Sequence, residues 1–174
     1  MRVGILGSGL MGAKLGTLFA RAGIRWSSAM DEVLNLAGDV SGKAIVSCSL
    51  PMNADDTELV VAHTSSGTEE LARRIPGAQV VSAFNTVASE VLFSVFEARG
   101  NAPRPSLVYC GDDQRAKDVA AGLIRDVGFD PVDAGPLRIA RYTEPFALLV
   151  ARLAYEGEGG PELAYRFERF GEQA

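Results

Sequence analysis

Short apolar runs alternate along the chain with longer segments in which apolar residues recur at helical spacing. The apolar runs predict buried strands at Val3–Leu6, Lys43–Leu50, Gln79–Phe84, Ser106–Cys110 and Phe129–Asp133. The helical spacing predicts helices at Leu10–Ala22, Met30–Leu36, Thr68–Ile75, Ser89–Arg99, Gln114–Val127, Arg141–Tyr155 and Glu162–Phe170. Alternation of strands and helices is typical of α/β proteins. We therefore expect an open, mostly parallel sheet with helices on both faces and a C-terminal helical extension.

The first predicted strand leads through a glycine-rich turn into the first predicted helix. Gly7, Gly9 and Gly12 have the spacing G-x-G-x-x-G. In this context Gly7 allows a tight turn, Gly9 lets a pyrophosphate approach the backbone, and Gly12 lets helix and strand pack closely. The phosphates would lie on the free amides at the start of the helix. The pattern predicts a Rossmann-like dinucleotide-binding domain; the alternative is a glycine turn that binds nothing.

We expect one domain over residues 1–174, in which the C-terminal helices of residues 142–174 cover the site. Ligands of open α/β sheets bind beyond the carboxyl ends of the strands. The candidate loops are Gly7–Gly12, Leu50–Asn53, Asn85–Thr86, Gly111–Asp113 and Ala134–Leu137. Asp112 and Asp113 resemble a carboxylate pair, but we interpret them as a helix N-cap and a first-turn charge, because helix starts favour both.

The composition narrows the class of function. The net charge of −5 and the absence of a basic cluster argue against nucleic acid. No apolar run approaches the ~20 residues of a membrane span, and Met1 leads directly into a strand, so we expect a cytoplasmic protein. Cys48 and Cys110 lie in apolar runs and predict buried thiols. With one histidine, His63, and no C-x-x-C, we predict no metal site.

Beyond the glycines, several segments resemble the NADP oxidoreductase, coenzyme F420-dependent family, whose nucleotide-binding domain also occurs in ferric reductases. The matching motifs are S-S-G-T-E-E-L-A, V-V-S-A-F-N-T-V, C-G-D-D and D-A-G-P-L with a downstream A-R-x-x-E. The resemblance implies an NADP(H)-dependent oxidoreductase that transfers a hydride between nicotinamide and a flavin or deazaflavin. Such transfer depends mainly on stacking two flat rings and excluding water.

The resemblance also implies the positions of the site residues. The pyrophosphate would be held by Gly7, Ser8, Gly9, Leu10, Met11 and Gly12. Three residues would lie near the nicotinamide or the acceptor ring, namely Asn85, Thr86 and Val87. Arg141 with Glu144 would lie by the acceptor, and Leu163 would close the pocket from the last helix. Arg141 has the alternative of pairing with Glu144 three residues on.

The sequence departs from this family in two places. At the acceptor site, Asn85 stands where a histidine is usual for a deazaflavin partner, and Pro145 and Ala147 stand where a hydroxyl residue is expected. The acceptor could therefore be an ordinary flavin, a ferric chelate or another compound. After Gly23 the chain lacks roughly 40 residues, the size of the second strand, following helix and third strand of the family. The first strand is then expected at a sheet edge, and the residue that reads the ribose 2′ position has no counterpart.

The sequence is also consistent with two further hypotheses. A trimmed Rossmann scaffold could serve as a nucleotide-binding or interaction protein without turnover. A dehydrogenase acting on a small carbonyl or imine has less support, because no Lys, His or Tyr is placed as an evident proton donor. We expect a small-molecule redox acceptor as partner, and an exposed first strand or C-terminal helix favours a homodimer.

Overall fold

The computed structural model describes residues 39–53 and 55–171, together with the backbone of residues 4–6. The predicted helices Leu10–Ala22 and Met30–Leu36 lie outside the described residues, as does the glycine fingerprint. The strands are β1 (Gly4–Leu6), β2 (Ala44–Ser47), β3 (Gln79–Ala83), β4 (Ser106–Gly111) and β5 (Asp130–Asp133). The helices are α1 (Gly67–Arg74), α2 (Val91–Glu97), α3 (Gln114–Val127) and α4 (Ala140–Tyr155), and a 3₁₀ turn (Leu137–Ile139) precedes α4.

The five strands form one sheet in the order β1-β2-β3-β4-β5. β1, β2 and β3 are parallel to one another, whereas β4 is antiparallel to β3 and parallel to β5. The open α/β sheet is thus confirmed, with β1 at one end of the strand order as expected. The reversal at β4 contradicts the prediction that all five candidate loops lie together at one edge of the sheet. Because β4 and β5 run the other way, the loops at Gly111–Asp113 and Ala134–Leu137 leave the edge opposite to the loop after β3.

Neighbouring residues of the central strands pack into different clusters. Ile45 and Val80 join Leu71 of α1 and Leu137 in one cluster. The next residue on each strand, Val46 or Val81, belongs instead to the larger cluster, which α2 and α3 complete. Since successive side chains of a strand point to opposite faces, these two clusters lie on opposite faces of the sheet. Helices therefore cover both faces, as the sequence predicts.

Local signals in the sequence account for the boundaries of α1 and α3. The Ser66 side chain accepts a hydrogen bond from the Glu69 amide at the start of α1 (3.1 Å). Asp113 does the same for Ala116 at the start of α3 (2.8 Å), which confirms its capping role. α3 ends at Gly128 in the left-handed conformation (φ 108°). Asp112 has a different role, since its carboxylate accepts from the Leu137 amide (2.8 Å).

The predicted last helix, Glu162–Phe170, is wrong. This segment has no regular secondary structure. Its backbone bonds to the start of β4 instead, because the Ser106 amide donates to the Tyr165 carbonyl (2.8 Å) and the Phe167 amide donates to Ser106 Oγ (3.0 Å). Tyr165 and Phe167 then pack on Phe146 of α4. Contacts with β4 and α4 thus override the helical spacing of the segment.

Pro145 also lies deeper in its helix than the sequence suggests. The prediction places it in the first turn, where proline is tolerated. The 3₁₀ turn and α4 follow one another without a gap, so α4 begins at Ala140 and Pro145 falls inside it. Proline has no amide hydrogen, so the Arg141 carbonyl lacks its usual helical donor four residues on.

Candidate functional site

A cleft of about 770 Å³ opens at the carboxyl ends of β2 and β3. Three segments line it: the loop after β2, the loop after β3, and one face of α4. Its lining residues are Cys48, Ser49, Leu50, Met52, Asp56, Asn85, Val87, Ala88, Ser89, Ala147, Leu148, Ala151 and Tyr155. β1 ends at Leu6, which pairs with Ser47 at the end of β2. The chain therefore leaves β1 for the glycine fingerprint at the same edge of the sheet as the cleft.

One face of α4 forms a wall of the cleft. Ala147, Ala151 and Tyr155 follow one another at intervals of four residues, so they lie on one side of the helix. The two alanines have only methyl side chains, so this wall is flat and projects little into the cleft. Tyr155 stands at its end, where its hydroxyl lies 2.6 Å from Glu90 Oε2, just before α2. This hydrogen bond joins α4 to the loop after β3 across the cleft.

The loop after β3 begins with a strained residue. Phe84 is fully buried and has φ 68°, a conformation that a bulky side chain rarely adopts. Such strain persists only where the surroundings impose it, and it is common at binding sites. The next residue, Asn85, is held by a hydrogen bond from its Nδ2 to Ser82 Oγ (3.1 Å). The turn thus fixes where Asn85 and Val87 enter the cleft.

The C-terminal segment supports this loop from behind. Thr86 is fully buried, and its hydroxyl lies 2.8 Å from the Tyr165 hydroxyl. The Val108 amide also donates to the Tyr165 oxygen (3.3 Å). Burial raises the pKa of Tyr165 above its ordinary value, so this phenol remains protonated. Thr86 therefore anchors the loop and is not among the residues that line the cleft.

Ionisable groups in the described part of the cleft are few. Burial raises the pKa of the Cys48 thiol to about 12, so it is not a nucleophilic thiolate near neutral pH. Burial and the neighbouring Glu90 carboxylate raise the pKa of Tyr155. Asp56 carries the negative charge of the lining. Sequence reasoning missed Tyr155 and Asp56, although the interval of four residues from Ala151 was a usable signal for Tyr155.

The structure brings some predicted site residues together and leaves others elsewhere. Asn85 and Val87 line the cleft. The pyrophosphate residues Gly7, Ser8, Gly9, Leu10, Met11 and Gly12 lie outside the described residues. Leu163 is half-buried in the irregular C-terminal segment and is not among the lining residues, so the predicted closure from a last helix has no counterpart.

Glu144 caps α1 from within the protein. Only 1% of Glu144 is exposed, and its carboxylate accepts from the Gly67 amide (2.8 Å), the Thr68 amide (3.0 Å) and the Thr68 hydroxyl (3.0 Å). These donors and the positive end of α1 stabilise the anion. Burial outweighs them and raises the pKa of Glu144 above its ordinary value. The carboxylate therefore connects α4 to α1 and does not line the cleft.

Arg141 also contacts α1, where its partner is Glu69 and not Glu144, the intrahelical alternative that the sequence offered. Its guanidinium donates two hydrogen bonds to Glu69, from Nε to Oε2 and from Nη2 to Oε1, both at 2.9 Å. This bidentate geometry is the strong form of an arginine–carboxylate pair. Arg141 and Glu144 thus hold the start of α4 against the start of α1, and neither is among the residues that line the cleft.

The Glu69–Arg141 pair makes stability depend on pH. Hydrogen bonding to Arg141 lowers the pKa of Glu69 below its ordinary value of 4.5. The stability that ionised Glu69 contributes is therefore present above the unfolded-state pKa and lost as pH falls through the lower folded-state pKa. We expect a Glu69→Gln variant to be less stable than the wild type at pH 7, with the difference shrinking as the pH falls below 4.5 and through the lower folded-state pKa of Glu69.

Urea unfolding at a series of pH values measures this difference. Glu97→Gln, which removes an exposed carboxylate from the end of α2, controls for the change in net charge. A gap between wild type and Glu69→Gln that stays constant from pH 7 to the acid limit would contradict this role of the pair.

No group of three His, Cys, Asp or Glu side chains in the described residues is arranged to hold a metal ion. No helix within residues 39–53 or 55–171 combines the length and apolar character needed to cross a bilayer. Cys48 and Cys110 are buried free cysteines, which agrees with the prediction of buried thiols.

Comparison with solved structures identifies the fold. A structure titled "putative f420 dependent nadp-reductase" from Arthrobacter sp. fb24 superposes with a TM-score of 0.81 at 21% sequence identity. The match covers 97% of this chain and 100% of that chain. The chain therefore shares the fold of that structure. The resemblance to the F420-dependent NADP oxidoreductase family, drawn from the sequence, is confirmed for the fold. The hypothetical protein SMa0349 from Sinorhizobium meliloti also has a similar fold, with a TM-score of 0.65 at 20% identity over 97% of this chain and 96% of that one.

Sequence comparison also finds similarity to a protein named as a reductase. Metalloreductase STEAP3 from Rattus norvegicus is 32% identical over 114 residues, which make up 66% of this chain. The chain spans only 22% of the length of that relative. No protein-family model matches the chain. The names of the Arthrobacter reductase and of the STEAP3 relative describe different acceptors, so the acceptor of this chain is a separate question.

Proposed function

We propose that the chain is an NADP(H)-dependent oxidoreductase that transfers a hydride between nicotinamide and a flat acceptor of the flavin or deazaflavin class. The observation that carries the proposal is the position of the cleft. It lies at the carboxyl edge shared by β1, β2 and β3, beside the point where β1 leads into the G-x-G-x-x-G segment. Dinucleotides bind at this edge in Rossmann folds.

The dimensions of the cleft fit such a pair of rings. Its volume of about 770 Å³ is within the range of small-molecule sites. Ala88, Ala147 and Ala151 contribute only methyl groups to the lining, which leaves room for planar rings. NADPH bound here would supply the hydride. The side chains would then orient the two rings and exclude water, which is the main requirement of such a transfer.

Individual residues of the chain have distinct parts in this proposal. Asn85, fixed by Ser82 and the strained Phe84, presents its amide carbonyl at the start of the loop. That carbonyl can accept a hydrogen bond from a carboxamide or a ring N–H. Val87 offers an apolar surface to a ring face. Neutral Tyr155 bonds across the cleft to Glu90 and limits its extent at the end of α4.

A direct assay tests the proposal and the acceptor together. NADPH oxidation is followed by absorbance with FMN, a deazaflavin or ferric citrate added in turn. We expect saturable turnover with at least one flavin-type acceptor, and NADPH oxidation without added protein is the control. Turnover with ferric citrate alone would assign a ferric-chelate reductase, and no turnover with any acceptor would contradict the oxidoreductase proposal.

A second candidate is a nucleotide-binding module without turnover. The observation that favours it is the scarcity of ionisable groups in the described lining, where Tyr155 is already bonded to Glu90. The single tryptophan of the chain, Trp26, provides a binding signal. Quenching of its emission by NADPH, together with no turnover, would support this candidate over the enzyme.

A further inference from the structure

α4 has a second face that the cleft does not use. Tyr142, Phe146, Leu149 and Leu153 lie on it, and we call these four residues the outer stripe. Tyr142 is 61% exposed, and Leu149 and Leu153 are each 55% exposed. At 3.6 residues per turn, the four side chains fall within an arc of about 60° on the side away from Ala147 and Ala151. Large apolar side chains grouped in this way on a surface mark an interaction site.

The residues of the outer stripe have the same spacing whether the helix is read from its N-terminus or from its C-terminus. Its residues are separated by four, three and four positions, and its midpoint coincides with the midpoint of α4, Ala140–Tyr155. A helix with this spacing can pack against an antiparallel copy of itself over its whole length. Interfaces of this kind, in which both partners use the same patch, are the commonest in homodimers.

We propose that the outer stripe is the interface of a two-fold homodimer in which α4 packs antiparallel to α4 of a second copy. Tyr142 then lies against Leu153 of the second copy, and Phe146 against Leu149. The two-fold axis passes through the middle of the helix. Each contact occurs twice, so the four residues form four apolar pairs across the interface.

Charges at the two ends of the outer stripe are complementary in this arrangement. Arg138 is exposed just before α4, and Glu156 is exposed just after it. Antiparallel packing brings Arg138 of one copy near Glu156 of the other, at both ends of the interface. Glu156 also pairs with Arg152 on its own helix (2.9 Å). Helices that bind a membrane surface usually carry Lys and Arg beside their apolar face. The outer stripe has one basic and one acidic residue at its ends, which favours a second copy of the chain over a membrane.

The centre of the outer stripe is held in place before any partner binds. The Phe146 ring meets the Tyr165 ring edge-on with centroids 5.1 Å apart, and the Phe167 ring lies 6.3 Å away. Phe167 is itself 55% exposed and extends the apolar surface beside α4. Anchors that are already ordered lose little conformational entropy on association, which favours a stable interface.

The mass in solution tests this proposal without reference to any enzymatic activity. Light scattering coupled to size exclusion should give twice the monomer mass of 18.4 kDa at micromolar concentrations. A Leu149→Arg, Leu153→Arg double variant should weaken association at least tenfold and run as a monomer with an unchanged circular dichroism spectrum. Val60→Arg is the matched control, because Val60 is 66% exposed but lies in the loop between β2 and α1.

Cysteine cross-linking provides a second measurement that does not depend on the charged variants. Both native cysteines are buried, so the background is low. Leu149→Cys should cross-link to a dimer with a short bis-maleimide, whereas Val60→Cys should remain monomeric. A monomeric wild type, with or without binding to lipid vesicles, would overturn the proposal. So would a dimer that survives the double variant, or equal cross-linking at both positions.

Discussion

Replacing Glu144 with alanine is expected to lower the free energy of unfolding by about 3–5 kcal/mol. The change leaves the Gly67 amide, the Thr68 amide and the Thr68 hydroxyl without their acceptor in the interior. It also opens a cavity between α1 and α4, since Glu144 is among the largest fully buried side chains. Urea unfolding followed by circular dichroism measures the loss.

Two further variants distinguish the capping role of Glu144 from a simple loss of charge. Glu144→Gln retains the volume and one carbonyl acceptor, so we expect it to lose only about 1–3 kcal/mol. Glu97→Ala removes an exposed glutamate from α2 and should change the stability by less than about 0.5 kcal/mol. A Glu144→Ala protein as stable as Glu97→Ala would show that Glu144 does not connect the two helices.

Tryptophan at position 151 should lower kcat/KM for the acceptor by about 100-fold or more, because even a 1 Å misplacement of reacting rings can cost that much. Ala151 lies in the middle of the α4 wall, between Ala147 and Tyr155. An indole there would occupy the space that the proposed ring stack needs. The measurement is steady-state NADPH oxidation with whichever acceptor the wild type turns over.

The neighbouring residue provides the control for this variant. Arg152 follows Ala151 on α4, but its side chain is 73% exposed and points away from the cleft. Arg152→Trp introduces the same indole into the same helix and should retain activity within about threefold, as expected of a surface substitution. If both variants lose activity equally, the effect comes from α4 itself. If Ala151→Trp remains fully active, the cleft is not the site of turnover.

Several features of the candidate site could be read from the sequence. The motif V-V-S-A-F-N-T-V placed Asn85 and Val87 in the cleft, because residues that follow a buried strand emerge at its carboxyl end. Asp113 was identified as a helix cap from its position before Gln114. Both inferences depend on interactions between residues close together in the chain, and such interactions are encoded locally.

Other features required contacts between distant parts of the chain. Arg141 was expected near the acceptor or Glu144, but Glu69, 72 positions away in the sequence, binds it. Glu144 caps a helix that begins 77 positions earlier, a contact that the sequence does not indicate. The last segment has helical spacing, yet its backbone bonds to Ser106 and its aromatic rings pack on Phe146.

The sequence by itself determined most of the alternation of strands and helices, the Asp113 cap and the strand edge at which the glycine segment begins. Apolar periodicity and turn chemistry act over a few residues, so they are visible without coordinates. Only the tertiary structure decided the direction of β4, the partners of Arg141 and Glu144, and the two faces of α4. Those depend on which surfaces meet when the sheet and helices pack, and no local pattern records that choice.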